Sequence, residues 1–249
     1  MKVNLVLSGG AARGIAHIGV IKALEELGYE INAISGVSAG ALVGAFYCAG
    51  YTPEEMLKLV SSREWLSFIR PSFPKMGLFS LQRTVSYLRK KLHVDRIEEL
   101  KKELWITVLD IKSGSTLYFN KGELYPILLG SCALPGIFEP VKYHSYLFVD
   151  GGITNNLPVE PFLERKELLV GVDVNKTVME ERVGSIIHVL IRSFLLAVRS
   201  NVDKRKELCH VLIEPELERY STYDLWKAKE IYLLGYKKAL EVMKAYGNH

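Results

Sequence analysis

Residues 31–53, INAISGVSAGALVGAFYCAGYTP, carry no charged side chain over 23 consecutive positions. A stretch of that length and character either spans a bilayer or is buried inside protein. Asn32, Ser35, Ser38 and four glycines fit a membrane span poorly. They fit a buried strand over Ile31–Ser35, a tight turn, and a buried helix over about Ala39–Ala49 that stops at Gly50. Such a strand and helix need a large core around them. The chain can build one, since 49% of its 249 residues are hydrophobic, a length suited to one large domain or at most two. Disorder, collagen-like and coiled-coil chains are excluded by composition.

Strand then helix is the recurring order. Val3–Leu7 reads as a strand, followed by Ile15, Ile18, Ile21, Leu24 and Leu27 at helical spacing up to Gly28. Thr52-Pro53-Glu54-Glu55 fits a capping box with proline at the first helical position. Leu104–Asp110 and Ser115–Asn120 flank Lys112-Ser113-Gly114 as a hairpin. Tyr146–Val149, Leu168–Val172 and Cys209–Ile213 are further strands. Val183–Ser200 is an amphipathic helix, and the tail from about Tyr223 to Tyr246 is helical. No repeat or low-complexity run interrupts the series. The expected fold is α/β, with a mostly parallel sheet covered on both faces. Active sites in such sheets lie beyond the carboxyl ends of strands. That places Ser8–Gly14, Gly36–Gly40 and Asp150–Gly152 at one rim.

Gly36-Val37-Ser38-Ala39-Gly40 is G-x-S-x-G between a strand and a helix. This is the setting of a nucleophile elbow, in which a serine sits on a strained turn above a helix N-terminus. An ordinary Gly/Ser turn is the alternative. Ser8-Gly9-Gly10-Ala11-Ala12-Arg13-Gly14 follows the first strand. Neither a dinucleotide fingerprint nor a phosphate loop fits it: Ala11 stands where the former needs its second glycine, and Ile15 where the latter needs lysine. A run of backbone N–H groups past a strand end is a candidate oxyanion hole. A nucleophilic serine needs a base, yet His17, His93, His144, His188, His210 and His249 all lie off Gly-rich and strand-end loops. Asp150, in Phe148-Val149-Asp150-Gly151-Gly152, is better placed, although a turn or helix cap would also use an aspartate there.

Four blocks, SGGAARG at 8–14, GVSAG at 36–40, SCALPGIFEPV at 131–141 and DGGITNNLPVEP at 150–161, stand in the order and approximate spacing of the patatin-like phospholipase family, which this chain resembles over roughly its first two-thirds. The resemblance implies a three-layer α/β/α sandwich. It also implies a Ser-Asp dyad without histidine, with Ser38 as nucleophile and Asp150 as proton acceptor. Oxyanion amides would come from Gly9, Gly10, Ala11 and Ala12, with Gly36, Gly40, Gly151 and Gly152 in support. Many bacterial relatives have a third glycine where this chain has Ala11, and alanine accepts positive φ poorly. Arg13 matches the family's arginine after the glycines; it either holds an anion or braces the loop, and bracing is the preferred reading.

The activity implied is hydrolysis of a phospholipid, lysophospholipid or other acyl ester through an acyl-enzyme. A histidine-dependent α/β-hydrolase esterase and a non-catalytic lipid-binding module are the rivals. The chain is expected to be a single domain over 1–249, its catalytic blocks within 5–165 and the remainder completing the sheet and the C-terminal helices. No metal site is expected, since no H-E-x-x-H or EF-hand spacing occurs, and neither a cofactor nor a nucleic-acid partner is expected. Cys48, Cys132 and Cys209 show no paired or metal-ligand spacing, and MKVNLVLSGG no signal-peptide pattern, so a cytoplasmic setting is expected. The net charge of +4 is concentrated between Arg63 and Lys102, where ten Lys/Arg face four Asp/Glu. Within that segment the aromatic and proline-rich residues 65–79 read first as an ordered loop packed on the core and, as the alternative, as a lid or interfacial loop, and the charge suggests peripheral contact with anionic membrane.

Overall fold

The computed structural model describes residues 1–62, 64, 70–71, 76–81, 83–175, 184–221 and 224–247. The central sheet has five parallel strands: β1 (Lys2–Leu7), β2 (Glu30–Val37), β5 (Glu103–Asp110), β10 (Leu168–Val172) and β11 (Val211–Ile213). It is extended by β6 (Ser115–Phe119) and β9 (Tyr146–Asp150), each antiparallel to β5, and by β8 (Val141–Tyr143) beside β9. Its order is β11-β10-β1-β2-β5-β9-β8, with β6 off that path. A three-stranded sheet of β3 (Arg70–Pro71), β4 (Gly77–Ser80) and β7 (Gly136–Phe138) stands apart from it.

Alternation along the strands builds the layers. Val3, Leu5 and Leu7 of β1 and Val170 and Val172 of β10 enter one core, while Val6 and Leu169 enter a second core on the opposite face. The larger core is covered by α1 (Ile15–Glu26), α2 (Ala39–Ala49), α3 (Pro53–Ser62), α4 (Thr84–Leu92), α5 (Leu124–Ser131) and α7 (Ala228–Gly247). The smaller one lies under residues 157–162 and under Val198 and Val202 of α6 (Ile186–Lys206). A sheet buried on both faces explains why its strands read as continuous apolar runs. The uncharged 31–53 stretch is β2, the elbow and α2, inside the protein.

Helix ends follow the expected signals. Gly28 and Gly50 take φ of +77° and +103° just past α1 and α2. The Thr52 N–H donates to Glu55 Oε2 at 2.8 Å and the Glu55 N–H to Thr52 Oγ1 at 3.2 Å, closing the capping box. The helix expected over Val183–Ser200 runs from Ile186 to Lys206. Most of the 65–79 lid expectation, Trp65, Phe68 and Phe73 included, lies outside the described residues. Among the described residues no helix is long and apolar enough to cross a membrane.

Candidate active site

Strand β5 brings the site together. Its Thr107 pairs with Val37, the last residue of the parallel β2, and its next residue, Val108, pairs with Asp150, the last residue of the antiparallel β9. The carboxyl ends of β2 and β9 therefore meet against consecutive residues of one strand. Ser38 follows the first and Asp150 ends the second, 112 positions apart in sequence.

The turn at Ser38 is strained. Ser38 has φ 53°, ψ −124°, a conformation that costs a side-chain-bearing residue about 1–3 kcal/mol. Surrounding contacts hold it there. The Ser38 N–H donates to Ser131 Oγ at 2.8 Å, and Ser131 donates in turn to the Thr107 carbonyl at 2.7 Å. Glycine is obligatory on either side: a Cβ at Gly40 would stand 2.3 Å from the Leu7 carbonyl oxygen, and one at Gly36 2.7 Å from the Ala41 nitrogen. Ser38 itself is half-buried at the start of α2, its carbonyl accepting the Leu42 N–H at 3.1 Å.

Asp150 is 2% exposed. Its Oδ1 accepts the Gly152 N–H at 2.8 Å and caps the short 3-10 turn Gly151–Ile153, as the cap reading of the sequence has it. Gly151 packs so closely on β5 that a Cβ would lie 2.7 Å from the Thr107 carbonyl oxygen. Burial pushes the Asp150 carboxyl up to about 7, against the opposing pull of hydrogen bonds from the Ser38 side chain and the Gly152 N–H. Burial and the Asp150 charge keep the adjacent Cys132 thiol protonated, well above its ordinary range.

The glycine-rich loop forms the third side. Gly9 is pressed against the elbow, a Cβ there falling 3.1 Å from Ser38 Cβ. Its N–H donates to Asn156 Oδ1 at 3.1 Å. Of the four loop residues expected to offer oxyanion amides, Gly9 thus has its N–H already committed. Ala11 does adopt positive φ, +48°, despite its Cβ, at a cost of roughly 1–2 kcal/mol. Arg13 is 8% exposed and donates from Nε to the Tyr220 carbonyl at 2.8 Å, which ties the loop to a segment 207 positions away. Ser131, Asn156 and Asn175 were not singled out as site residues by sequence, although the first two stand inside quoted blocks.

No histidine lines the cavity next to Ser38 among the described residues. His17 is fully buried, donates from Nε2 to the Ser8 carbonyl at 2.8 Å, and is held neutral by burial, its pKa lowered to about 4. His210 accepts the Leu169 N–H on Nδ1 at 2.9 Å. The cavity, of about 480 Å³, is lined by residues 9–12, Ser38, Asp150, Asn156 and Asn175, and by apolar side chains of α2, α3 and α4 such as Leu42, Phe46, Met56, Leu59 and Leu88.

This mixed α/β architecture, a mostly parallel sheet with helices on both faces, is the patatin fold. The sequence model of the family described as patatin-like phospholipase matches residues 5–163, and the chain belongs to that family. An uncharacterised NTE family protein of Mycobacterium bovis is 34% identical over 177 residues, covering 70% of this chain and 49% of the relative. A lysophospholipase of Aspergillus fumigatus is 27% identical over 285 residues, covering 99% of this chain and 18% of the relative. The chain thus spans half or less of the length of these relatives. The crystal structure of VipD from Legionella pneumophila superposes with a TM-score of 0.58 at 14% identity, covering 98% of this chain and 66% of that one, a likeness of fold.

Proposed function

We propose that the chain is a serine lipid acyl hydrolase of the phospholipase A or lysophospholipase kind, acting through Ser38 and Asp150. The observation that carries the reading is a strained serine beside a buried carboxylate on the wall of an apolar cavity. The carboxylate takes the Ser38 proton as Oγ attacks the ester carbonyl carbon, and the carbonyl π electrons move onto oxygen. The N–H groups of Gly10, Ala11 and Ala12 receive that oxyanion. Collapse breaks the ester bond, the alkoxide leaves with the proton held by Asp150, and the acyl group stays on Ser38. Water, deprotonated by Asp150, then attacks the acyl carbon, and the bond to Ser38 Oγ breaks as Oγ takes that proton back, releasing the fatty acid. A carboxyl near 7 is matched to such work at neutral pH.

Apolar lining supports an acyl chain as the occupant of the cavity, and the lysophospholipase named among the relatives supports a lipid ester. Each methylene buried is worth about 0.8 kcal/mol, roughly a fourfold gain in kcat/KM. Hydrolysis of p-nitrophenyl esters of increasing chain length, followed with wild type, Ser38→Ala and Asp150→Asn, tests the reading. Activity is expected to climb with chain length until the cavity is full and to vanish in Ser38→Ala. In Asp150→Asn it is expected to drop by at least about 10²-fold. Folded Ser38→Ala with undiminished hydrolysis sinks the proposal; a wild type inert toward esters and unlabelled by fluorophosphonate makes the chain a lipid-binding module.

A further inference from the structure

Gly9 is gripped at both of its polar backbone atoms. Its N–H donates to Asn156 Oδ1, and its carbonyl accepts from Asn175 Nδ2. Each asparagine is itself anchored. The Asn156 N–H donates to Asn201 Oδ1 at 2.9 Å, and Asn201 Nδ2 donates to the Gly152 and Ile153 carbonyls at 3.1 and 3.0 Å. The Asn175 N–H donates to Asp173 Oδ1 at 3.0 Å, and Asp173 Oδ2 pairs with Lys206 Nζ at 2.8 Å. Between these two residues, the Val174 N–H donates to Ser8 Oγ at 3.1 Å. Asn201 and Lys206 both belong to α6, so one helix backs both asparagines.

A trans peptide is planar, with its C=O and N–H pointing in opposite directions. Fixing the Gly9 carbonyl therefore fixes the direction of the Gly10 N–H, the first loop amide not already committed. On the other side of Gly9, Asn156 Oδ1 and Ser38 Cβ would stand only 2.7 and 3.1 Å from a Cβ built on that residue. A side chain has no place there, so the loop backbone itself lies against Ser38 and Asn156.

We propose that Asn175, acting with Asn156, is a positioning residue that aims the Gly10 N–H at the oxyanion formed on Ser38. The proposal rests on the Ser38–Asp150 reading given above. Asn175 lies beyond residues 5–163, the stretch that the family's sequence model matches. It is tethered to the oxyanion loop by the turn that follows β10.

The test compares wild type, Asn175→Ala and the same-sized Asn175→Asp, whose carboxylate faces the Gly9 carbonyl without a donor. Active sites are counted by exhaustive fluorophosphonate labelling, so a loss of folded protein is separated from a loss of rate. Both variants are expected to lose about 10²-fold in kcat per labelled site, with KM within about threefold and the pH midpoint unmoved. A trifluoromethyl ketone, which forms a tetrahedral oxyanion on serine, is expected to bind more weakly by a similar factor. The proposal is overturned by unchanged kcat per site in either variant, by a loss carried in KM, or by ketone affinity that does not move. Wild-type hydrolysis that survives in Ser38→Ala overturns the parent reading instead, and this one with it.

Discussion

The role proposed for Asp150 requires it to be buried and ionised at once, and the two demands conflict. Its carboxyl is raised from 3.8 to about 7 by burial. Folded-state protonation is therefore favoured relative to the unfolded chain. The group's stabilising contribution is complete below about pH 4, where it is protonated in both states. It is lost as pH rises toward and through 7, a change on the order of 4 kcal/mol. In the proposed mechanism catalysis runs the other way, because only the carboxylate accepts the Ser38 proton. The expected outcome is that kcat/KM rises to a plateau with a midpoint near 7, while folded Asp150→Asn outmelts wild type at pH 8 by a margin that closes toward pH 4. A melting difference independent of pH between 4 and 8 contradicts a raised carboxyl. Ser38 and Asp150 were legible in the sequence because strained turns need glycines beside them, and glycine spacing is a local signal. Ser131, Asn156 and Asn175 were not, because a polar residue in a loop acquires its role only when distant segments meet it. Thr107 shows the point, its carbonyl receiving Ser131 and its neighbour Val108 pairing with Asp150.

Among the elements, those with strong periodicity or punctuation stood where the sequence put them: β1, β2, the elbow, α2, the capped α3 and the β5–β6 hairpin. Helix α5 gave no sign of itself, since LYPILLGS is apolar on every side and contains Pro126 and Gly130, leaving no amphipathic stripe to read. The small β3-β4-β7 sheet uses strands of two to four residues, too short for a pattern to register. Helix α6 raises a different question. From Ile186 to Ser200 its exposed positions, among the described residues, are Ile186, Val189, Leu190, Ser193, Leu196, Ala197, Arg199 and Ser200, of which Arg199 alone is charged, and Ile186 is 81% exposed. From Gly184 to Val202 the only formal charges are the cations Arg192 and Arg199. Its Val198 lines the cavity, and Leu190 lies 3.1 Å from where a Cβ on Gly136 would stand. An apolar face with cations and no carboxylates suits an anionic lipid surface, and we propose that α6 makes a peripheral contact of its own, apart from the one the sequence led us to expect of residues 63–102. Ile186→Ser/Val189→Ser/Leu190→Ser is expected to lower co-sedimentation with phosphatidylserine-containing vesicles several-fold while hydrolysis of a soluble short-chain ester stays the same. Equal co-sedimentation of variant and wild type removes α6 from that role.

At the scale of the molecule, the family's sequence model ends at residue 163, yet β10 and β11 come after it and β10 is the partner of β1. The C-terminal helix is joined to the N-terminal one even more closely. A Cβ on Gly19 of α1 would stand 2.0 Å from the Tyr232 carbonyl oxygen of α7, and a Cβ on Gly235 of α7 2.1 Å from the Ala16 carbonyl oxygen of α1. Backbone meets backbone in both directions, and no side chain fits between. We propose on this ground that residues 1–249 unfold as one unit. Gly235→Ala, remote in sequence from every residue of the site, is then expected to force the two helices apart at a cost of about 2–3 kcal/mol. That lowers the melting temperature by roughly 5–10 °C. Loss of circular dichroism and loss of fluorophosphonate labelling at Ser38 should move down together in a single transition. A variant whose labelling melts at the wild-type temperature while part of its helical signal is lost earlier would divide the chain into two units and place α7 outside the one that carries Ser38.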